Sequence, residues 1–387
     1  MQTAPGATPQ IALDGQEQRQ RFSASYIIPP PFGGTTDWIG TVQAKLDWSL
    51  DLWGRQAAKV AMAQSSAEAA ELDSAAARLA LSAGVTRAYI DLSLAYALRD
   101  LSEATVTQRA SILELTNTRV RNGLDSTASR KSAEALLAMA RMDQLRADGN
   151  VELAQHQIAA LIGRGADAYA GLSRPQLNPD AIRLPDVLPA DLLARRADIQ
   201  AARARVDAAL SGRKVAYTAF YPDIDITAFA GWSAIGLDQM FRSSAQTYGI
   251  GPAIHLPLFD AGQLRAQYAS ATASVDVAIA DYNSSVVEAV RQTADAISQL
   301  RSLTSQCAEQ GVALDAADES FRLANIRYRN GLNGYLSVLD AETTLLQARI
   351  RAASLRADVE SRQVALLEAF GGGFDTRAAN PVQDSSQ

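Results

Sequence analysis

The sequence predicts a mainly α-helical fold with a transmembrane β-barrel portion, and three features of the 387-residue chain lead to this prediction. The chain is an internal repeat of two units. Residues 32–174 and 258–380 contain no proline and are rich in helix-forming residues. Segments of alternating apolar and polar residues, the period of a β-strand, stand near the start of each stretch.

The repeat appears when the sequence is shifted by 208 residues against itself. Arg119–Leu124 (RVRNGL) then falls on Arg327–Leu332 (RYRNGL), and Glu134 falls on Glu342. A constant offset through a near-identical hexapeptide indicates duplication rather than a short-period solenoid. The predicted domains are a first repeat at 1–170, a connector at 171–190, a second repeat at 191–372 and a polar tail at 373–387.

The first repeat is predicted to be incomplete at its front. The second repeat begins with a segment at 191–210 whose counterpart would precede Met1. Met1 is followed by polar, proline-bearing sequence and not by the basic start and apolar run of a signal peptide. Two interpretations of this start are possible, a native cytosolic protein and a truncated precursor. The repeat favours the truncated precursor.

Each repeat is predicted to contain one long helical hairpin, at 55–163 and at 262–370. Apolar residues recur three to four positions apart, and the tips at 121–127 and 329–335 contain Asn-Gly, a helix-stop signal. An outgoing helix over 55–121 would be roughly 100 Å long, since the rise is about 1.5 Å per residue. Helices of that length must pack side by side as coiled coils. The long helices alone are equally compatible with an alternative, an alanine-rich coiled-coil scaffold.

The predicted strands have the length and polarity of transmembrane strands. Between Val42 and Leu52 the alternation is strict, and about 9–11 residues suffice to cross a bilayer as a tilted strand. A soluble sheet with one wet face is the alternative. Since the smallest single-chain barrels have about eight strands, four strands require oligomerisation, and three copies would supply twelve. The four segments are about 21–28, 39–53, 222–232 and 246–259.

Composition excludes several classes of protein. A net charge of −6 argues against a nucleic-acid binder, which normally shows a basic patch. One cysteine and two distant histidines exclude a His/Cys metal cluster and disfavour a Ser-His-Asp site. No catalytic residue, cofactor or metal site is predicted, and the protein is not expected to be an enzyme. The sequence contains no apolar run of about 18 residues, so no transmembrane helix is expected.

Several short motifs resemble the outer-membrane factor (TolC-like) family, in the branch that serves resistance-nodulation-division pumps (NodT/OprM-like lipoproteins). Leu50–Arg55 (LDLWGR) and Pro257–Gly262 (PLFDAG) resemble the family's strand-to-helix junctions. Ala160–Arg164 (ALIGR) and Leu192–Ile199 (LLARRADI) resemble signatures of the pump-linked branch. Together with Phe220-Tyr-Pro222 and the two hairpin tips, the resemblance covers nearly the whole chain.

The resemblance implies a function and a location. Such a protein is a homotrimer in the outer membrane of a Gram-negative bacterium, with an α-helical tunnel that extends into the periplasm. It would be the exit duct of a tripartite efflux system, conducting small molecules passively and contacting outer-membrane lipid, a periplasmic adaptor and an inner-membrane pump. A soluble coiled-coil protein and a protein-secretion duct of the same family are the alternatives.

The resemblance also implies three groups of site residues. An aperture gate would be formed by Leu336 and Asp340, which lie four apart on one helix face, with Tyr328 holding the closed state. A membrane aromatic belt would comprise Trp38, Trp48, Trp53 and Trp232. Adaptor docking would use the hairpin tips, at Arg121, Asn122, Gly123, Leu124, Ser126, Arg329, Asn330, Gly331, Leu332 and Ser337.

Overall fold

The structure, a computed structural model, describes residues 8–25, 31–165, 171–176 and 194–372. The predicted fold class, long α-hairpins together with four strands per chain, is confirmed. Two short 3-10 turns, Leu237–Gln239 and Ser243–Ala245, connect the last two strands. The elements in chain order are β1 (Gln10–Arg21), β2 (Thr36–Leu50), α1 (Arg55–Arg121), α2 (Thr127–Leu161), α3 (Ala197–Thr218), β3 (Asp223–Ile235), β4 (Gln246–His255), α4 (Gln263–Arg329) and α5 (Tyr335–Ala369).

The chain divides into two compact units that do not follow the sequence repeat. Unit 1 consists of Met1–Glu71 and Gln200–Ser284, and unit 2 consists of Leu72–Ile199 and Ser285–Gln387. Each unit therefore contains parts of both repeats. The division into repeat domains stays a prediction, and most of the predicted connector and the polar tail lie outside the described residues.

Unit 1 contains an antiparallel sheet with strand order β1-β2-β3-β4. Paired residues share a face of a sheet, so the register defines one apolar face and one polar face. The polar face carries an ion pair between Lys45 Nζ and Asp14 Oδ2 at 2.9 Å and a contact between the Thr41 and Ser233 hydroxyls at 3.3 Å. The apolar face consists of Ile11, Leu13, Val42, Ala44, Leu46, Trp48, Ile224, Ile226, Ala228, Ala230, Trp232, Tyr248, Ile250, Pro252 and Ile254.

The prediction for the first strand was wrong. The strand lies at Gln10–Arg21 and not at 21–28, and residues 26–28 of that predicted segment fall outside the described part of the chain. Its second half is the polar run Gln16–Arg21, which has little intrinsic strand preference and hides the alternation. Pairing along the whole of β1 with β2, from Gln10–Asp47 to Arg21–Thr36, fixes the strand instead.

The other bounds differ from the predictions by a few residues. β2 ends at Leu50, so Trp53 lies beyond the strand, and β4 ends at His255 rather than at 259. Asp51 accepts hydrogen bonds from the backbone N–H of Gln56 and Ala57, which begins α1 sharply after the strand. Within the described residues, no helix combines the length and the apolar character required of a membrane span.

Unit 2 is a layer of long helices that pack through small side chains. Ala88 and Leu92 of α1 pack against Val151 and Ile158 of α2. Gln310 of α4 donates a hydrogen bond to a backbone carbonyl of α5 at 2.9 Å. The α1–α5 contact is a cluster of Ala83, Ile90, Ala357 and Val364. Away from the turns, contacts therefore run from α2 to α1, from α1 to α5 and from α5 to α4.

Candidate functional site

The two hairpin turns of unit 2 meet at the buried side chain of Tyr328, the penultimate residue of α4. Its ring is fully buried. Its hydroxyl donates a hydrogen bond to Asp125 Oδ2 at 2.8 Å and lies 3.1 Å from the hydroxyl of Thr116. Asp125 belongs to the turn of the first hairpin, so this contact joins the two repeats at their tips.

Arg119 completes this contact from the last turn of α1. Its Nη1 donates to the Tyr328 carbonyl oxygen at 2.9 Å, and its guanidinium carbon lies 4.5 Å from the centre of the Tyr328 ring. Its Nε lies 3.5 Å from Asp125 Oδ2, and both side chains are about nine-tenths buried. Arg119 therefore makes a cation–π contact with Tyr328 and an ion pair with Asp125. We call Arg119, Thr116, Asp125 and Tyr328 the tip latch.

Local sequence places these side chains. Gly123 adopts φ +72°, and the backbone N–H of Leu124 donates to the Arg119 carbonyl at 2.9 Å. This is the glycine-ended helix stop that the Asn-Gly signal predicts, and Gly331 repeats it with φ +75°. The turn leaves Asp125 one residue before Ser126, whose hydroxyl caps α2.

The environment of Asp125 stabilises its charged form. Burial acts to raise the pKa of this carboxyl, but hydrogen bonds from Tyr328, Ser129 and the Ser126 backbone outweigh it, together with the Arg119 charge. The pKa of Asp125 is therefore held below its ordinary value. Burial raises the pKa of Tyr328, which keeps its hydroxyl protonated as a donor.

A core lies next to the latch. Ile112 of α1, Ala133 of α2 and Val338 of α5 pack with Tyr328 and Tyr335. The two tyrosine rings have centroids 6.1 Å apart. Burial, with the nearby charge of Glu342, raises the pKa of Tyr335 to about 12. All four helices of the two hairpins contribute to the region formed by the latch and this core.

A buried ion pair lies further along the helices. Glu342 of α5 is 3% exposed, and its Oε1 lies 3.3 Å from Arg109 Nε and 2.9 Å from Gln108 Nε2. Arg109 also donates to the Leu136 carbonyl of α2 at 3.0 Å. Removing one member of such a pair leaves the other charge buried without compensation.

The structure separates the three predicted gate residues. Tyr328 points into the core, whereas Leu336 is 68% exposed and Asp340 is exposed on α5. Tyr335 and Val338 occupy the buried face of that first turn. Leu336 and Asp340 therefore share an outer face of α5, whereas Tyr328 packs against Tyr335 and Val338 on the buried face of that helix.

The predicted docking residues lie together at the two turns, and most are exposed. Leu124 is 63% and Leu332 is 73% exposed, so each turn presents an apolar side chain to solvent. Ser337 is half-buried, and its hydroxyl donates to the Gly334 carbonyl at 2.9 Å. The exposed members are Arg121, Asn122, Gly123, Leu124, Ser126, Arg329, Asn330, Gly331 and Leu332.

The four tryptophans all lie in or beside the sheet of unit 1. Trp38 and Trp48 are partly exposed near opposite ends of β2. Trp232 lies near the end of β3, where it pairs with Val42 in the middle of β2, and its ring makes an edge contact with Phe241. Trp53 lies beyond the Trp48 end, where it stacks on Tyr221 and its Nε1 donates to a backbone carbonyl.

Sequence reasoning missed most of the latch and the buried pair. The available signal was asymmetry between the repeats. Tyr328 falls on Val120 in the 208-residue shift, and Arg109 falls on Ala317. At both of these positions the residue that differs between the repeats is one that contacts the other repeat. In the described residues no group of three or more acidic, histidine and cysteine side chains could hold a metal.

The chain is similar in sequence to known outer membrane proteins. The model of the family described as outer membrane efflux protein matches residues 2–164 and 188–372. The fusaric acid resistance protein FusA of Burkholderia cepacia is 37% identical over 271 residues, which cover 69% of this chain and 51% of FusA. The putative multidrug resistance outer membrane protein MdtQ of Escherichia coli K12 is 30% identical over 374 residues, covering 95% of this chain and 78% of MdtQ.

A solved structure matches over nearly the same extent. The outer membrane protein VceC of Vibrio cholerae superposes with a TM-score of 0.87 and 34% identity, covering 95% of this chain and 88% of that chain. The chain thus spans about half the length of FusA and most of the length of MdtQ and VceC.

Proposed function

Since the chain belongs to the outer membrane efflux protein family, we propose that it forms the outer-membrane exit duct of a tripartite efflux system and conducts small molecules passively. The observation that carries this proposal is the sheet of unit 1, which has one exposed apolar face and two edge strands. Ile250 is 80% and Ile11 is 75% exposed on that face. Soluble monomers rarely expose an apolar surface of this extent, whereas the lipid-facing side of an outer-membrane barrel is apolar.

The duct is a homotrimer in this proposal. β1 and β4 are the edge strands of the described sheet, and an unpaired edge readily pairs with another chain. Four strands are fewer than the roughly eight of the smallest single-chain barrels, so closure requires several copies. Three copies supply twelve strands, the number that the family resemblance implies.

The aromatic residues support placement of the sheet across the outer membrane. Trp38 and Trp48 are ten residues apart on β2. At about 3.3 Å per residue and a tilt of about 40°, this separation spans roughly 25 Å across the membrane, the height of the apolar band of outer-membrane barrels. Trp38 and Trp48 then correspond to the two aromatic girdles of the barrel.

The hairpin tips are the docking surface for a periplasmic adaptor protein that links the duct to an inner-membrane pump. Leu124 and Leu332 supply exposed apolar side chains beside the glycines of the turns. A Cβ at Gly123 would meet nothing within 4 Å, so the backbone there is open to close approach by a partner.

Leu336 and Asp340 form the aperture gate in this proposal. In a threefold assembly, three copies of the exposed Asp340 would form a ring of carboxylates, which attracts cations and disfavours close approach. Tyr328 of the tip latch packs against Tyr335 and Val338 on the buried side of the same helix, so we expect the latch to influence the diameter of the ring. The names of FusA and MdtQ support small toxic organic compounds as cargo.

Vesicle flotation tests whether the sheet of unit 1 lies in the membrane with its apolar face toward lipid. Full-length protein is refolded into vesicles and separated on a density gradient, together with two variants at similar depth on opposite faces of the sheet. Ile250→Arg places a charge on the apolar face, where it costs about 2–4 kcal/mol near the bilayer centre, and Thr227→Arg places it on the polar face. Wild type and Thr227→Arg should float, and Ile250→Arg should float poorly. Equal recovery of all three, or a wild type that stays soluble without detergent, would contradict the proposal.

A further inference from the structure

The second half of β1, Gln16–Arg21 (QEQRQR), carries its charged side chains on one face only. Successive residues of a strand point to opposite faces. The three glutamines therefore lie on the polar face of the sheet, whereas the glutamate and both arginines continue the face that carries Ile11 and Leu13. Arg19 and Arg21 thus lie on the side that the proposed function places against lipid, and the present inference rests on that function.

The register places these arginines at the outer surface of the membrane. Arg19 pairs with Trp38 of β2, and Arg21 pairs with Thr36. The opposite end of β2 continues into α1, which enters the periplasm in the proposed duct, so the Trp38 end faces outward. At about 3.3 Å per residue and a tilt of about 40°, Arg21 lies roughly 5 Å further out than Arg19. Long arginine side chains reach from such positions to the lipid headgroups.

Both arginines are available to a headgroup. Their side chains are exposed, and within the described part of the chain neither takes part in an ion pair or a side-chain hydrogen bond. This holds even for Glu17, the acidic residue two positions before Arg19. On the opposite face, by contrast, the glutamine side chains bond to one another, with Gln18 Nε2 donating to Gln20 Oε1 at 2.8 Å. The lipid side therefore carries two cations that this strand does not neutralise.

The turn between β3 and β4 supplies a third arginine at the same end of the sheet. Phe241 in this turn is 72% exposed, and its ring lies 5.9 Å from that of Trp232, so the turn bends over the apolar face. Arg242 follows Phe241, is exposed, and makes no ion pair with any described residue. In the proposed barrel the edge strands β1 and β4 of neighbouring copies meet, so this turn lies beside the β1 arginines of the next copy.

We propose that Arg19, Arg21 and Arg242 bind the phosphate groups of an outer-leaflet glycolipid that carries two phosphates on its headgroup. A guanidinium presents two parallel N–H donors to phosphate oxygens, which a lysine ammonium cannot do. The two β1 arginines are about 6.6 Å apart along the strand, so a headgroup with more than one phosphate engages both. The rings of Trp38 and Phe241 contact the upper part of the acyl chains.

Lipid A, a glycolipid with two phosphates, is the probe that tests this site. Native mass spectrometry of the full chain in neutral detergent gives apparent Kd values for lipid A and for its one-phosphate form, and inorganic phosphate is the competitor. The first variant combines Arg19→Gln with Arg21→Gln. The second, face-swapped variant adds Gln18→Arg and Gln20→Arg, which moves both charges to the opposite face at unchanged composition and net charge.

Wild type should bind lipid A more tightly than the one-phosphate form, and inorganic phosphate should not compete at the concentration of the lipid. Both variants should bind lipid A roughly 30-fold more weakly, from the usual contribution of two basic side chains at an anionic membrane surface. Wild-type affinity in the face-swapped variant would overturn the site, because charge on either face would then suffice. Equal affinity of wild type for the two glycolipids would overturn the preference for two phosphates.

Flotation with phosphatidylcholine vesicles separates this inference from the proposed function. All three proteins should float, because the changed residues lie beyond the apolar part of the face. If all three float and bind lipid A equally, the glycolipid site is wrong and the duct stands. A wild type that does not float would overturn both. The first variant, which adds no charge to the polar face, decides the outcome if the face-swapped variant does not fold.

Discussion

The hydroxyl of Tyr328 lies 2.8 Å from Asp125 Oδ2, and this hydrogen bond joins the end of the second outgoing helix to the turn of the first hairpin. Arg119 holds both partners, since it donates to the Tyr328 carbonyl and pairs with the Asp125 carboxylate. The contact lies behind the face that carries Leu336 and Asp340. We therefore expect the strength of this contact to influence how readily the proposed aperture opens.

Removing the hydroxyl of Tyr328 should open the duct. In Tyr328→Phe the ring packing is retained, but the loss of a hydrogen bond to a charged group costs the closed state about 1.5–3 kcal/mol. The variant should show a higher open fraction in bilayer recordings. Tyr217→Phe, at an exposed tyrosine of unit 1, is the matched control and should behave as wild type. Equal recordings from wild type and Tyr328→Phe would exclude the latch.

Acid should release the latch. Because the pKa of Asp125 is lower in the folded protein than in the unfolded chain, its contribution to stability is present above the ordinary aspartate pKa of about 3.9. That contribution is lost as the pH falls through the lower folded value. The open fraction of wild type should therefore rise at acid pH, and the pH dependence should be weaker in Asp125→Asn. A variant with the wild-type pH dependence would show that another group is responsible.

Breaking the buried ion pair should destabilise the helix layer more than removing an exposed pair. Glu342→Ala leaves Arg109 buried without its partner, which costs about 3–5 kcal/mol. The midpoint of thermal unfolding in detergent should fall, whereas Glu134→Ala, at the matching exposed position of the first repeat, should change it little. Replacing both residues, as Arg109→Met with Glu342→Leu, should restore most of the stability. Equal midpoints for the two alanine variants would contradict a special role for the buried pair.

Asp340 should control cation passage. In Asp340→Ala the proposed ring of carboxylates is absent, so divalent cations should block the channel less, and their half-blocking concentration should rise at least several-fold. Asp318→Ala removes an exposed carboxylate of α4 that pairs with Arg349, and it should leave the block unchanged. Unchanged block in Asp340→Ala would exclude this residue from the gate.

The exposed leucines of the turns should determine adaptor binding. Leu124→Asp with Leu332→Asp replaces apolar contact area by charge, so co-purification with the adaptor should fall while trimer yield is unchanged. Leu81→Asp, at a half-exposed leucine of α1 far from the turns, should leave binding intact. Full adaptor binding by the double variant would place the docking surface elsewhere.

The sequence determined the long elements better than the contacts between them. The hairpins were predictable because helix-forming residues run without interruption from Arg55 to Arg121 and stop at Asn-Gly, a local signal that no distant residue overrides. β1 was not predictable, because its polar half is a strand only through pairing with β2. The local pattern of apolar and polar residues cannot show that a distant strand will pair with a polar segment.

The latch depended on residues that are far apart in the chain. Asp125 and Tyr328 are 203 residues apart, and each has an ordinary role at the end of a helix when considered alone. Gate and docking residues were assigned by resemblance, and their roles stay predictions. What the structure adds is that Tyr328 faces inward, where its partners come from the other repeat.

Conductance of the purified full-length protein in planar lipid bilayers is the most direct test of the proposed duct. We expect discrete steps of a single large conductance, selective for cations, from fractions that contain the trimer. Heat-denatured protein treated identically should give none. A trimer that inserts in the bilayer and yields no conductance under any voltage or pH, or conductance that comes only from monomeric fractions, would contradict the account.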